Sequence, residues 1–184
     1  MNENHNEPSL QTMGEPELRD LLEQNHAMSH GWALSCCASN PGDAEDVLQE
    51  AYRKILEGRA RFDGRSAFRT WLFAVIRNTA ASERRRHWIR LLRLGSYESE
   101  HANDQAEPTR GQALDEATKL SIFRQILVSL PRRQQEVLHL VFYQNMTVES
   151  AAQVMLVSVG SARTHYDRAK KRMAELLRET GLFP

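Results

Sequence analysis

The chain has 184 residues and a formal net charge of zero, with 24 Lys and Arg against 24 Asp and Glu; 41% of it is hydrophobic and 26% charged. That length suits one domain or two small ones, and the composition is that of an ordinary soluble protein. The longest purely apolar run, Trp71 to Ile76, is far short of the roughly 20 residues of a membrane span, and two adjacent cysteines, Cys36 and Cys37, exclude a disulfide framework.

The zero conceals alternating blocks. Residues 1–58 carry 3 basic and 11 acidic side chains, 59–95 carry 10 and 2, 96–118 carry 1 and 6, and 119–184 carry 10 and 5. Salt screening confines each block's field to roughly 8–10 Å, so a partner meets blocks and not the sum. The polar, acidic start has neither a basic end nor an apolar stretch, so no secretory signal is expected and a cytoplasmic location is.

The apolar periodicity is helical nearly throughout, predicting an all-α fold. A first helix fits Glu17 to about Ala38, with Leu18, Leu21, Leu22, Met28 and Trp32 on one stripe. Asn40-Pro41-Gly42 ends it, and Asp43 can cap a second helix carrying Val47, Leu48, Ala51, Tyr52, Ile55 and Leu56. After Gly58 and a basic loop, Ser66 can cap a third helix through Phe68, Leu72, Val75 and Ile76 to Arg84-Arg85-Arg86 and beyond. Gly95 to Gly111 is polar and acidic without an apolar face, and reads as a flexible linker. A second unit begins near Ala113 with Leu114, Ala117, Leu120, Phe123, Ile126 and Leu127 on one face. Pro131 suits the first turn of a helix bearing Val137, Leu138, Val141 and Phe142. Thr147 can cap a short helix, Leu156-Val157 a tight turn, and Ser158 the last helix, striped by Val159, Ala162, Tyr166, Ala169, Met173, Leu176 and Leu177. The expected organisation is a disordered tail over 1–14, a helical domain over 15–94, a linker over 95–112 and a second helical domain over 113–184.

Four constellations are candidates for function. Thr147 to Lys171 has the layout of a helix-turn-helix: small residues at Ala151 and Ala152 permit a close crossing, and Ser158, Ser161, Arg163, Thr164 and His165 lie on the opening turns that enter a major groove. The plainer reading is a helical hairpin with a solvated basic face. From Arg59 to Arg93, arginines alternate with aromatics, a mixture that holds single-stranded nucleic acid. The spacing of Phe68, Trp71, Leu72 and Phe73 fits a buried stripe, whereas Asn78 lies beyond it and Phe62 has no evident core to join. Asp43, Glu45, Asp46 and Glu50 form an acidic helix face, either a dipole complement and solvated surface or a docking face for a basic partner. His26, His30, Cys36 and Cys37 match no tight ligand spacing, so no metal is expected. No nucleotide-binding, hydrolase or metalloprotease motif occurs, so neither an enzyme nor a cofactor is expected. His139 falls on a mostly apolar helix and reads as a packed or surface residue. A free-standing helix-turn-helix repressor and an interaction adapter or zinc protein are the alternatives.

Two separated segments resemble the extracytoplasmic-function (ECF) sigma factors of bacterial RNA polymerase. Asp43-Ala44-Glu45-Asp46-Val47-Leu48-Gln49-Glu50-Ala51-Tyr52 and Phe62-Asp63-Gly64-Arg65-Ser66-Ala67-Phe68-Arg69-Thr70-Trp71-Leu72 are similar to the family's region two. Leu130-Pro131-Arg132-Arg133-Gln134-Gln135-Glu136-Val137-Leu138 and Ser158-Val159-Gly160 are similar to region four. The resemblance implies an initiation factor that binds core polymerase at the clamp of the largest subunit and the flap of the second. It implies Asp46, Gln49 and Glu50 at the clamp. It implies Phe62, Ser66, Ala67 and Asn78 at a flipped base of the −10 element, with Arg77, Arg84 and Arg85 along the DNA. It implies Ser158, Ser161, Arg163, Thr164, His165 and Arg168 at the −35 element, and an anti-sigma partner. His165 stands where the family frequently has arginine, so the −35 preference is expected to differ. No further C-terminal sensor domain is expected.

Overall fold

The computed structural model of the chain describes residues 14–94 and 116–180. The expected tail up to residue 13 and the expected linker lie outside them. Among the described residues there are helices and turns and no strand, as the periodicity predicts.

The first unit contains α1 (Glu15–Gln24), α2 (His26–Cys36), α3 (Pro41–Leu56) and α4 (Phe68–Leu94). The single long helix expected from residue 17 is in fact two. Asn25 leaves the helical conformation (φ −95°, ψ 1°) as the C-cap of α1, and its side-chain Nδ2 donates to the Leu21 carbonyl at 2.8 Å beside its own backbone N–H at 3.2 Å. Ala38 and Ser39, both at positive φ, reverse the chain after α2. Asn40, rather than Asp43, caps α3: its side-chain oxygen accepts from the Asp43 N–H at 3.1 Å, and Pro41 sits in the first turn where a missing N–H costs nothing. Ser66 does not cap α4. Its hydroxyl lies 3.3 Å from the Ala67 carbonyl, and it is Ala67 whose carbonyl accepts the first helical bond, from Trp71 N–H.

The second unit contains α5 (Glu116–Ser129), α6 (Arg132–Leu138), a π-helical turn (His139–Tyr143), α7 (Val148–Met155) and α8 (Val159–Glu179). Pro131 is the N-cap of α6 and not part of its first turn. The π turn inserts a residue into the register. Val137, Leu138 and Leu140 are therefore buried, while Phe142, expected on the buried face, is exposed beside Tyr143. Thr147 and Ser158 cap α7 and α8 as expected, each accepting from the N–H three residues on at 3.1 Å.

The two units share a core. Trp32, Leu48, Leu72, Phe73 and Ile76 pack in one cluster with Val137, Leu140, Ala151, Val154 and Met155, and α7 lies directly against α4. A smaller cluster of Leu130, Leu138 and Ala169 joins α6 to α8.

Candidate nucleic-acid and partner-binding faces

The outer face of α3 is acidic because Val47, Leu48, Ala51 and Ile55 occupy its inner face. Asp46 and Gln49 are exposed, and Gln49 Nε2 donates to Glu45 at 3.1 Å. Glu50 is half-buried and committed within the helix, accepting from Arg53 Nε at 2.8 Å and standing 3.6 Å from Lys54 Nζ. The Arg53 hydrogen bond, foremost, holds its carboxyl below the usual range. Lys54 Nζ also donates to Thr79 Oγ1 at 3.2 Å, fastening α3 to α4. Of the two acidic residues implied at the clamp, Asp46 is the one without an ion pair among the described residues.

The basic loop ahead of α4 is built around aromatics. Phe62 has a core to join after all: its ring centroid lies 5.7 Å from that of Phe68 and 5.3 Å from that of Trp71. Phe68, Leu72 and Phe73 are buried, as the stripe spacing indicates, and Trp71 is half-buried. Ala67 and Asn78 are exposed, and Ser66 is half-buried. Arg65, Arg85 and Arg86 are exposed as well. The arginines expected along DNA divide. Arg85 is open to solvent, Arg84 Nη1 donates to the Cys36 carbonyl at 2.8 Å, and the Arg77 side chain is only 11% exposed and turned toward the second unit.

The helix-turn-helix is formed by α7, the turn at Leu156 to Ser158, and α8. Ala151, Ala152 and Ala162 are buried where the helices cross, and Leu156 adopts a left-handed conformation that makes the turn tight. Ser158 Oγ is committed to capping and also lies 2.9 Å from Ser161 Oγ. Arg163 Nη2 reaches Glu149 of α7 at 2.8 Å, both largely exposed. Thr164 Oγ1 donates back to the Gly160 carbonyl at 3.0 Å. His165 is half-buried, and Arg168 and Lys171 are exposed. The first two turns of α8 thus present short polar groups and Arg163, with further cations beyond them.

Four residues that sequence reasoning did not single out as functional, Glu136, Arg132, Arg133 and Gln144, lie at the seam between the units. The Glu136 side chain is 3% exposed, with Arg132 Nε at 3.1 Å, Arg133 Nη1 at 3.2 Å and Arg77 Nε at 3.1 Å. The two bonds from its own helix follow i, i+4 and i, i+3 spacing and are legible in sequence; the third crosses 59 positions and is not. Gln144 Nε2 lies 3.4 Å from the Met28 carbonyl and 3.1 Å from His139 Nε2. His139 packs its ring 5.3 Å from Trp32 and stacks 5.3 Å from Tyr143.

Burial alone pushes the His139 imidazole down to about 4, and Trp32, Tyr143 and Gln144 are the groups facing it. A base with a depressed pKa contributes stability that is present above its ordinary value of 6.5 and lost as pH falls through about 4. Urea denaturation across that window should lose on the order of 3 kcal/mol on this histidine's account. His139→Phe should remove that share of the slope; an unchanged slope in the variant contradicts the assignment. The Cys36 thiol is raised by burial first and by Glu136 next, and Cys37 by burial and then Asp43, so both are protonated and poorly nucleophilic near neutral pH. Among the described residues no three His, Cys, Asp or Glu side chains group so as to hold a metal.

The Sigma-70 region 2 family matches residues 21–90, and the Sigma-70, region 4 family matches residues 120–173. The ECF RNA polymerase sigma factor SigF of Caulobacter vibrioides is 31% identical over 139 residues, covering 75% of this chain and 73% of that protein. The chain belongs to the ECF sigma factors of the sigma-70 family. The RNA polymerase sigma-H factor of Pseudomonas aeruginosa is likewise 31% identical, over 153 residues, with 74% of this chain and 76% of that protein covered. In fold, the sigma factor is similar to RpoE of Bartonella quintana, solved with the anti-sigma factor NepR (TM-score 0.68, 24% identity, 88% and 97% of the two chains), and to CnrH, solved with the cytosolic domain of CnrY (TM-score 0.61, 20% identity, 90% of each). The sigma factor is therefore a non-enzymatic transcription initiation factor that directs RNA polymerase, and not a free-standing repressor. Among the described residues no helix is long and apolar enough to cross a membrane.

Proposed function

We propose that the sigma factor docks the clamp of the polymerase largest subunit through Asp46, Gln49 and Glu50. On this reading it receives the melted −10 strand along Phe62, Ser66, Ala67 and Asn78, with Arg77, Arg84 and Arg85 following the backbone. It reads the −35 element with Ser158, Ser161, Arg163, Thr164, His165 and Arg168, and contacts the flap of the second subunit through region 4. It acts in the cytoplasm and answers to an anti-sigma partner, a reading supported by the inhibitor-bound state of both structural relatives.

The observation that carries this reading is the placement of charge on exposed helix faces. An acidic face on α3 stands ahead of a basic, aromatic loop and helix, and a capped recognition helix follows. Flipping a base costs a few kcal/mol, recovered by stacking and by hydrogen bonds to its edge. Asn78 is exposed on α4 and amide-bearing, and so suits an edge contact. Asn78→Ala should slow open-complex formation roughly tenfold, the scale of one lost base-edge contact, while core-polymerase affinity stays within about twofold of wild type. Permanganate footprinting of the −10 region and a core-binding titration check this, and equal losses in both would refute the role.

A further inference from the structure

Arg163 does not stand free at the start of α8. Its Nη2 donates to Oε1 of Glu149 at 2.8 Å, from one helix of the helix-turn-helix to the other and across 14 positions of sequence. A carboxylate nearer in sequence exists: Asp167 lies one turn on along α8, yet it pairs with Lys170 at 3.2 Å. Arg168, exposed on the same helix, has no ion pair among the described residues. The tie to α7 is thus particular to Arg163, an arginine on the turns implied at the −35 element.

The fold builds this pair. Ala151 and Ala152 of α7 and Ala162 of α8 are buried at the crossing, and small residues there let the helices approach closely. Glu149 precedes that crossing by two residues on α7, and Arg163 follows Ala162 directly on α8. Thr147 caps α7 and fixes the first turn on which Glu149 sits. The Glu149 carboxyl is held below the usual range by its own backbone N–H first and by Arg163 next, so it is ionised near neutral pH.

The pair does little for the free protein. The Arg163 and Glu149 side chains are 65% and 53% exposed, and an exposed ion pair adds little stability. On a duplex its value changes. A guanidinium carries five N–H donors in a rigid plane, and a bidentate pair to the O6 and N7 of guanine needs that plane aligned with the base edge. Glu149 occupies a donor on Nη2 and leaves the others for a base. A long side chain that is already oriented loses less entropy on docking, and exclusion of water at the DNA surface strengthens the tether.

We propose that Glu149 is a positioning residue for −35 recognition: its carboxylate holds the Arg163 guanidinium in the pose that reads one base pair, a role that rests on the reading of α8 as the −35 reader. Glu149 itself touches no base, and its effect passes through Arg163.

A promoter library randomised across the −35 element, bound by holoenzyme assembled from the full-length sigma factor and core polymerase, reports the preference at every position. Arg163→Ala should flatten one position. Glu149→Ala should weaken the preference at that same position about threefold to tenfold, the scale of ordering one long side chain at an interface, and leave the other positions as in the wild type. Glu149→Gln should retain most of the preference, because its amide oxygen still accepts from Nη2. Added to Arg163→Ala, Glu149→Ala should change nothing further, as expected of two residues that act as one. Thermal melts of the single variants should match the wild type, which separates positioning from a folding defect. A Glu149→Ala profile equal to that of the wild type, or losses that simply add in the double variant, overturns the positioning role and leaves Arg163 as a reader. Tighter binding of every library member with a steeper salt dependence also overturns it, making Glu149 a screen over a phosphate contact. An Arg163→Ala profile unchanged at every position overturns the reading of Arg163 and the positioning role together.

Discussion

Trp32→Ala should remove about 4 kcal/mol of folding stability, in the range of full truncations of a buried indole. Trp32 is completely buried on α2, its Nε1–H donates to the Phe73 carbonyl of α4 at 2.9 Å, and its ring packs between Phe73 and His139. One truncation therefore opens a cavity, loses a hydrogen bond and removes one of the apolar contacts between regions 2 and 4. Domains of this size are stable by only about 5–15 kcal/mol, so the variant should be substantially unfolded at modest urea. Trp88, 62% exposed on the same fold, is the control: Trp88→Ala should shift the midpoint by no more than about 0.5 kcal/mol. Chemical denaturation followed by circular dichroism separates the two, and similar small losses at both positions would mean that Trp32 does not anchor the core.

Asp46→Lys should behave in the opposite way, leaving stability intact and weakening core-polymerase binding by about a hundredfold. Asp46 is exposed on the acidic face of α3 and has no ion pair among the described residues, so reversing its charge breaks nothing internal. A lysine there faces Glu50 one turn on, a spacing the helix favours. Across an interface, however, a reversed charge meets its like, which costs several kcal/mol. Glu50→Ala is expected to be milder at the interface, because Arg53 and Lys54 already occupy that carboxylate. A fluorescence titration with core polymerase measures both. If Asp46→Lys binds as well as wild type while remaining folded, the clamp contact lies elsewhere.

The sequence announced some features because their cause is local. The stripe Val47, Leu48, Ala51 and Ile55 repeats at helical spacing, and those residues are buried together. Ser158 followed by Ser161 is a self-contained cap, and it forms as expected. Other features were not legible because the deciding interaction is not periodic. The Asn25 break leaves the apolar stripe uninterrupted; the helix ends in a backbone turn at that residue, accompanied by its side-chain bond to Leu21. The π turn adds a residue without altering composition, which turns Phe142 outward against the 3.6 phase. Phe62 looked isolated because its partners, Phe68 and Trp71, lie across the loop. At the binding faces, the exposure of Asp46, Asn78 and Arg168 agrees with what periodicity implies. The burial of Arg77 does not follow from periodicity, since it depends on Glu136 in a separate region.

Run-off transcription by purified core polymerase, with and without the full-length protein, over a pool of genomic promoter fragments is the most direct measurement. Transcripts that depend on the protein and start downstream of a shared pair of −35 and −10 sequences are the predicted result. A folded protein that yields no such transcript from any fragment, fails to bind core polymerase and instead shifts specific duplexes on its own would contradict its role as an initiation factor.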